Sequence, residues 1–234
     1  MDPIIYTKRL KLTLITSAER GSPELEWLHE IRSDAQSTLW SIVGQAKSIE
    51  DTEKFGQRCL PQKPETQEEG DPKSYRVVYA VHEILQPSPD STDSGTAEKP
   101  SPSRFIGIVN IRSLGPKDLK LADNFAPLSV LSPSVLFTEL GYQFMPRAWG
   151  KGFATESVDA VLSALVRGAS FWQPYEKVYM RALVNEENPA SLGVMRKLGL
   201  QGFGIWEYRG EPLFLGGKWS SVSRVYIFGR YLIE

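Results

Sequence analysis

The chain has 234 residues, 41% of them hydrophobic and 24% charged, with a formal net charge of −1. That size and composition suit one large globular domain, and the near-zero charge excludes a whole-protein field for holding nucleic acid or an anionic membrane. One cysteine, Cys59, cannot form an internal disulfide and suits a reducing compartment; with two histidines it leaves no zinc site of soft ligands, and no apolar run approaches the ~18 residues of a membrane span.

The first residues, MDPIIYTKRLKLTLI, have no basic leader and alternate apolar with polar, unlike a signal peptide. The expected place is therefore the cytoplasm, with the nucleus also open. Leu10, Leu12 and Leu14 alternate with Lys11 and Thr13 in a half-buried strand. Ser22 can cap a helix that starts at Pro23, and Ser48 a second that runs toward Cys59. Tyr75–Leu85 and Arg104–Leu114 are rich in β-formers and read as strands. Between them lies QPSPDSTDSGTAEKPSPS, too polar to bury a core of its own. It reads as an insertion within one domain, 1–234, with a second inserted stretch around 60–74 and this one around 86–103.

Ser134–Met145 is a long strand, Arg147–Gly152 a glycine-bearing turn and Phe153–Gly168 a helix with Val158, Val161, Leu162 and Leu165 on one face. Glu176–Val184 is a strand. Asn188, Pro189, Arg196, Lys197 and Gly199 mark the start and stop of a short helix, and two strands close the chain at 202–210 and 221–233. The order β-α-α-β-β-β-α-β-α-β-β is that of a layered α+β fold, a mixed sheet with helices on its faces.

Gly150 and Gly152 stand at the start of the long helix, with Lys151 between them and Arg147 nearby. Free N–H groups and the helix dipole make that end attractive to phosphate oxygens, and glycine lets a ligand approach the backbone. A P-loop is excluded, because Gly152 follows Lys151 where Ser or Thr is needed. A dinucleotide fingerprint is half present: Thr155 stands at the third glycine, with Glu186 as the ribose-binding acid. Pro146 and hairpin-like preceding strands speak against it. Coenzyme A is the third ligand.

Arg147-Ala148-Trp149-Gly150-Lys151-Gly152 matches the Q/R-x-x-G-x-G/A signature of the GNAT N-acetyltransferase superfamily. ELGYQFMPRAWGKGFATESV and NEENPASLGVMRKLGL resemble the branch that contains the ribosomal-protein N-terminal acetyltransferases, as does the opening TKRLKLTLI. The resemblance runs from Thr7 to about Tyr231, apart from the 60–104 region. It implies a mostly antiparallel, mixed seven-stranded sheet whose parallel strands 4 and 5 splay apart, with helices on both faces.

It also implies acetyl-CoA as cosubstrate, lying between Ser134–Met145 and Glu176–Val184. Backbone groups near Gln143, Phe144 and Met145 would pair with the pantetheine arm. The pyrophosphate would rest on N–H groups from Trp149 through Gly150, Lys151, Gly152, Phe153 and Ala154 to Thr155, with the charge of Arg147 and Lys151 beside it. Asn188 would touch the pantetheine. A primary amine, on a protein N-terminus or a small molecule, would attack the thioester directly, without an acyl-enzyme. Cys59, expected in a loop, lies far from these motifs.

Glu139 matches the family base, with Glu207, Glu211 or water in reserve, and an N–H near Gln143 would hold the oxyanion. The tyrosine acid many members carry seven residues after the Asn is Met195 here; Ser191 matches the serine proposed in the ribosomal-protein branch. No metal, nucleic acid or membrane is implied, and a monomer or homodimer is expected. An inactive acyl-CoA-binding domain of the same fold is the alternative. Plainer roles stand beside these: Asn188 as a helix cap, Ser191 as part of the same first turn, Glu139 as a solvated strand residue, and Trp149, Trp172, Trp206 and Trp219 as packing.

Overall fold

Ser22 accepts a hydrogen bond from the Leu25 N–H and Pro23 occupies the first position, so a helix begins where the sequence places it (α1, Pro23–Ser33). The Ser48 cap works the same way for α2, Ile49–Cys59. The computed structural model describes residues 1–60, 74–85, 102–115, 118–127 and 134–234. Within them eight strands form one sheet: β1 Ile4–Tyr6, β2 Leu10–Leu14, β3 Arg76–Ile84, β4 Ser103–Ser113, β5 Val135–Phe144, β6 Lys177–Asn185, β7 Gln201–Leu215 and β8 Lys218–Ile233. The remaining helices are α3, Phe153–Arg167, and α4, Pro189–Lys197. The expected insertions around 60–74 and 86–103 lie outside the described residues except at their rims, where Leu60 follows α2 and Ser103 opens β4.

The sheet order is β1-β2-β3-β4-β5-β6-β8-β7, and β5–β6 is its parallel pair. Eight strands replace the expected seven because Ile4–Tyr6 adds a short edge to β2; three residues are too few to show a period. The central strand β3 is almost wholly buried, since both faces of the sheet are covered. Val77, Tyr79 and Val81 belong to the core that includes Val158, Val161 and Leu165 of α3. Val78 and Ala80 pack in a second core with Leu28 and Ile31 of α1.

β7 and β8 run past their expected ends to a two-residue turn, Gly216–Gly217, at φ 62° and 83°. Both central residues with positive φ match the twist of a tight hairpin. β7 forms the outer edge of the sheet, with register shifts between Gly202 and Gly204 and between Arg209 and Leu213. No helix among the described residues is long and apolar enough to cross a membrane.

Candidate active site

β5 and β6 pair from Val135–Lys177 only as far as Glu139–Arg181. Beyond that point β5 stays on β4 up to Phe144, and β6 stays on β8 up to Asn185. The two strands therefore part, leaving a split with backbone groups along both walls. The Met145 N–H bonds the Ile106 carbonyl at 2.9 Å, which sets the phase of the antiparallel ladder. Residues in step with it, Gln143, Gly141 and Glu139, turn their backbone toward β4; Leu140 closes the β6 ladder with its N–H, and Tyr142 and Phe144 turn theirs into the split. Phe144 thus turns its backbone into the split, whereas Gln143 faces β4, and Met145 gives its N–H to β4 and its C=O to the Ala148 N–H. On the opposite wall Glu186 N–H bonds Arg224 O at 2.9 Å, so Leu183 and Asn185 are the residues of β6 whose backbone faces the split.

At the end of β5 the chain makes one 3-10 turn, Pro146–Ala148, and then the glycine turn. Gly150 and Gly152 have φ of 74° and 78°. A side chain at either would meet no crowding atom, so the left-handed backbone is what calls for glycine here. Gly152 is the N-cap of α3 and supplies no side-chain cap. Among the described residues the N–H groups of Gly150, Lys151, Gly152, Phe153, Ala154 and Thr155 have no hydrogen-bond acceptor; the first intrahelical bond comes from Glu156 N–H to Gly152 O. Trp149 departs from expectation, since its N–H bonds Pro146 O. Its indole instead donates to Phe144 O at 2.8 Å and so occupies a carbonyl that faces the split.

Arg147 also departs from expectation. Its guanidinium bonds Glu30 at 2.5 Å and Phe105 O at 2.6 Å, so it ties α1 to β4 instead of pointing at the glycines. The exposed Lys151 pairs with no carboxylate among the described residues. A basic group absent from the sequence reading, Arg9, reaches the turn from the β1–β2 connection. It bonds Lys151 O at 3.0 Å, covers the Phe153 ring and pairs with Glu156, which also accepts from Thr7 at 2.6 Å. Burial works against the Glu156 charge, but the bonds from Thr7 and Arg9 outweigh it and hold the carboxyl below its usual range.

Asn188 caps α4 by accepting the Ser191 N–H at 3.1 Å. Ser191 Oγ in turn lies 2.6 Å from the Tyr142 hydroxyl. Tyr142 sits on the unpaired length of β5 and Ser191 on the helix that follows β6, so this contact crosses from one side of the split to the other. Met195, at the position of the missing tyrosine, is fully buried in the core.

Glu139 sits at the last paired position. Arg112 bonds one carboxylate oxygen at 2.8 Å and Arg181 bonds the other at 2.8 and 3.0 Å. Arg181 is 6% exposed and also donates to Leu119 O; Arg112 also pairs with Asp118. Glu139 is thus the hub of a charge network, not the solvated strand residue of the plainer reading. A cavity of about 270 Å³ opens beside it, over the paired Phe137 and Tyr179 and below Leu119 and Phe125, away from the split.

On the sheet face opposite α3, the tip of the β7–β8 hairpin meets the loop after α1. Gly216 N–H bonds Leu39 O at 2.9 Å, and the Trp40 ring lies so close to Gly216 that a side chain there would overlap it. Arg32, buried, holds that loop through Ser41 Oγ at 3.0 Å and the Gly44 carbonyl. Of the reserve carboxylates, Glu207 pairs with Arg209 and Glu211 is exposed, both on the hairpin. Cys59 is not in a loop: it ends α2, buried, and burial pushes its thiol up to about 12 against the pull of Arg32 and Arg76.

Residues 9–201 match the family model described as an acetyltransferase (GNAT) domain. The chain belongs to the GNAT acetyltransferase family. It is by that membership an acyltransferase. Solved structures with the same fold include a GNAT-family acetyltransferase from Bacillus anthracis, 17% identical with 98% of each chain covered and a TM-score of 0.57. An acetyltransferase from Salmonella typhimurium that modifies the N-terminal serine of ribosomal protein L7/L12 is 15% identical, with 97% of this chain and 98% of that one covered and a TM-score of 0.55. A spermidine N-acetyltransferase from Vibrio cholerae, solved with CoA and spermine, is 18% identical, with 93% and 95% covered and a TM-score of 0.50. No curated protein sequence gives a significant match.

In this GNAT domain the fold brings the glycine turn, the end of β5, Asn188 and Ser191 to one end of the split. It separates Arg147 from them. Arg9, Tyr142 and Trp40 complete the surroundings without having been singled out. Arg9 alone carried a signal, as a basic residue in the opening TKRLKLTLI; the other two depend on strand register and loop path.

Proposed function

We propose that the protein transfers the acetyl group of acetyl-CoA to a primary amine, by direct attack of the amine on the thioester. The observation that carries this reading is the uncapped start of α3, where six successive N–H groups from Gly150 to Thr155 lie open at the mouth of the β5–β6 split. A pyrophosphate on those groups, with Lys151 beside it, leaves the pantetheine arm to run along the Tyr142 and Phe144 backbone. Asn188, whose amide nitrogen has no acceptor among the described residues, is placed to meet that arm. The N–H of Tyr142 then takes the oxyanion role first given to the strand near Gln143. Cys59 supports attack without an acyl-enzyme, since a buried thiol with its proton held this firmly is no nucleophile.

The amine must lose a proton. Glu139 holds the family base position, but a proton placed on either oxygen displaces an arginine hydrogen bond. We therefore assign proton removal to water and give Glu139 the task of fixing Arg112 and Arg181 where the strands part. Ser191 is the donor to the departing sulfur. The acceptor class follows the titles of the structural relatives, a polyamine in one and a protein N-terminus in another.

Calorimetric titration with acetyl-CoA, with NAD as control, tests the cosubstrate. Turnover with spermine and with a peptide bearing an N-terminal serine tests the acceptor. Micromolar acetyl-CoA binding and acetylation of either amine is the expected result. Absence of acetyl-CoA binding would sink the reading. Tight binding without turnover on any amine would favour an inactive acyl-CoA-binding domain, the reading that Met195 in place of a tyrosine keeps in view.

A further inference from the structure

Resting on the acetyl-transfer reading, we propose that Tyr142 is a positioning residue for the sulfur end of the site: its phenol donates to Ser191 Oγ and so aims the Ser191 proton at the sulfur of CoA. A serine hydroxyl alone is a poor choice for this task. It rotates freely, and near a helix start it turns readily toward backbone groups. Here two contacts remove that freedom. The Asn188 side chain holds the Ser191 N–H at 3.1 Å, which fixes the first turn of α4. The Tyr142 hydroxyl, at 2.6 Å, occupies one acceptor position on Ser191 Oγ. With the phenol donating, the serine hydrogen must point elsewhere, and the pair itself spans the split beyond its last β5–β6 pairing at Glu139–Arg181.

Tyr142 is suited to be the donor. It is packed against the core shared by Leu140, Phe144 and α3. Burial pushes its phenol up to about 12, with the Ser191 contact pulling slightly the other way, so it keeps its proton through the working range. Its place in the chain matters as much. Tyr142 belongs to β5 and Ser191 to α4, so the pair senses the width of the split itself. During collapse of the tetrahedral intermediate the C–S bond breaks and its electron pair goes to sulfur. The Ser191 hydrogen bond stabilises that thiolate, which takes its final proton from water, as the amine gives its own to water. The phenol is neither consumed nor ionised.

Titration of the bound CoA thiol tests this apart from turnover. The ultraviolet absorbance of the thiolate is followed against pH in the CoA complex, with the desulfo-CoA complex as blank. In the wild type the bound thiol should ionise about one pH unit below free CoA, the size expected for one well-aligned hydrogen bond to the charged form. Tyr142→Phe and Ser191→Ala should each return most of that shift, and the double variant no more than either alone, because the two act as a unit. In turnover, Tyr142→Phe should lower kcat about tenfold with KM for acetyl-CoA within about twofold. A bound thiol that keeps its wild-type pH in Tyr142→Phe overturns the proposal. If that variant does not fold, the same result in Ser191→Ala overturns it as well. Wild-type protein that binds CoA with an unshifted thiol removes the proposal and leaves the acetyl-transfer reading standing; protein that binds no CoA removes both.

Discussion

The two sides of the split are assembled in different ways. On the α3–α4 side nearly all comes from one continuous length of chain, β5, the glycine turn, α3, β6 and the start of α4, joined by Arg9 from the β1–β2 connection. On the sheet face away from α3, distant segments meet, Leu39 and Trp40 after α1 with the Gly216–Gly217 tip of the last hairpin. The first side presents backbone N–H groups, which suit a ligand common to many proteins of one fold. The second is made of side chains and loop tips, which can change without disturbing the sheet. Cosubstrate and acceptor should accordingly respond to different substitutions.

The largest effect should come from Gly152→Val. A β-branched residue at a φ of 78° distorts the start of α3. Acetyl-CoA affinity should fall by about 100-fold or more, roughly 3 kcal/mol, in a calorimetric titration, with the fold retained by circular dichroism. Retained affinity would mean that the α3 start is not the phosphate site.

Glu139→Gln comes next, at the junction between the two sides. It leaves the buried Arg181 with a weakened partner, so denaturant unfolding should show a loss of about 2–3 kcal/mol. A stable variant with a kcat reduced at neutral pH would instead return Glu139 to the role of base. Trp40→Ala should raise the amine KM several-fold, about 1 kcal/mol, and leave acetyl-CoA affinity unchanged. A change in the opposite pattern would erase the distinction between the two sides.

The smallest effect concerns Glu156, whose carboxyl is held below its ordinary 4.5 in the fold. A lowered carboxyl contributes stability that is present above the unfolded value and is lost as pH falls through the folded one. The stability difference between wild type and Glu156→Gln should be below about 1 kcal/mol at neutral pH, because the ion pair is partly exposed. It should disappear in acid, below the folded value, as followed by denaturant unfolding at a series of pH values.

Much of the α3–α4 side was readable in the sequence because its signals are local. Pro189 after Asn188, the paired glycines and the apolar stripe of α3 each mark structure within a few residues. The backbone phase of β5 was not readable. Whether Tyr142 or Gln143 faces the split depends on the register with β4, and no residue of β5 announces it. Arg147 was misplaced for a related reason: its partner Glu30 lies more than a hundred positions away. The Gly216–Gly217 turn did carry a signal, but it sits in a charged, glycine-rich stretch where alternation is weak.

The outer strand β7 has a further consequence, for life in a crowded solution. A 15-residue edge offers a long row of open backbone groups to any passing chain. This one carries Glu207, Arg209 and Glu211, places Pro212 within its second register shift and bends at Gly204 with a φ of 123°. Charge, a missing donor and broken straightness each make a neighbouring strand a poor fit. The same irregularities that blur β7 in the sequence thus guard the molecule against edge-to-edge aggregation.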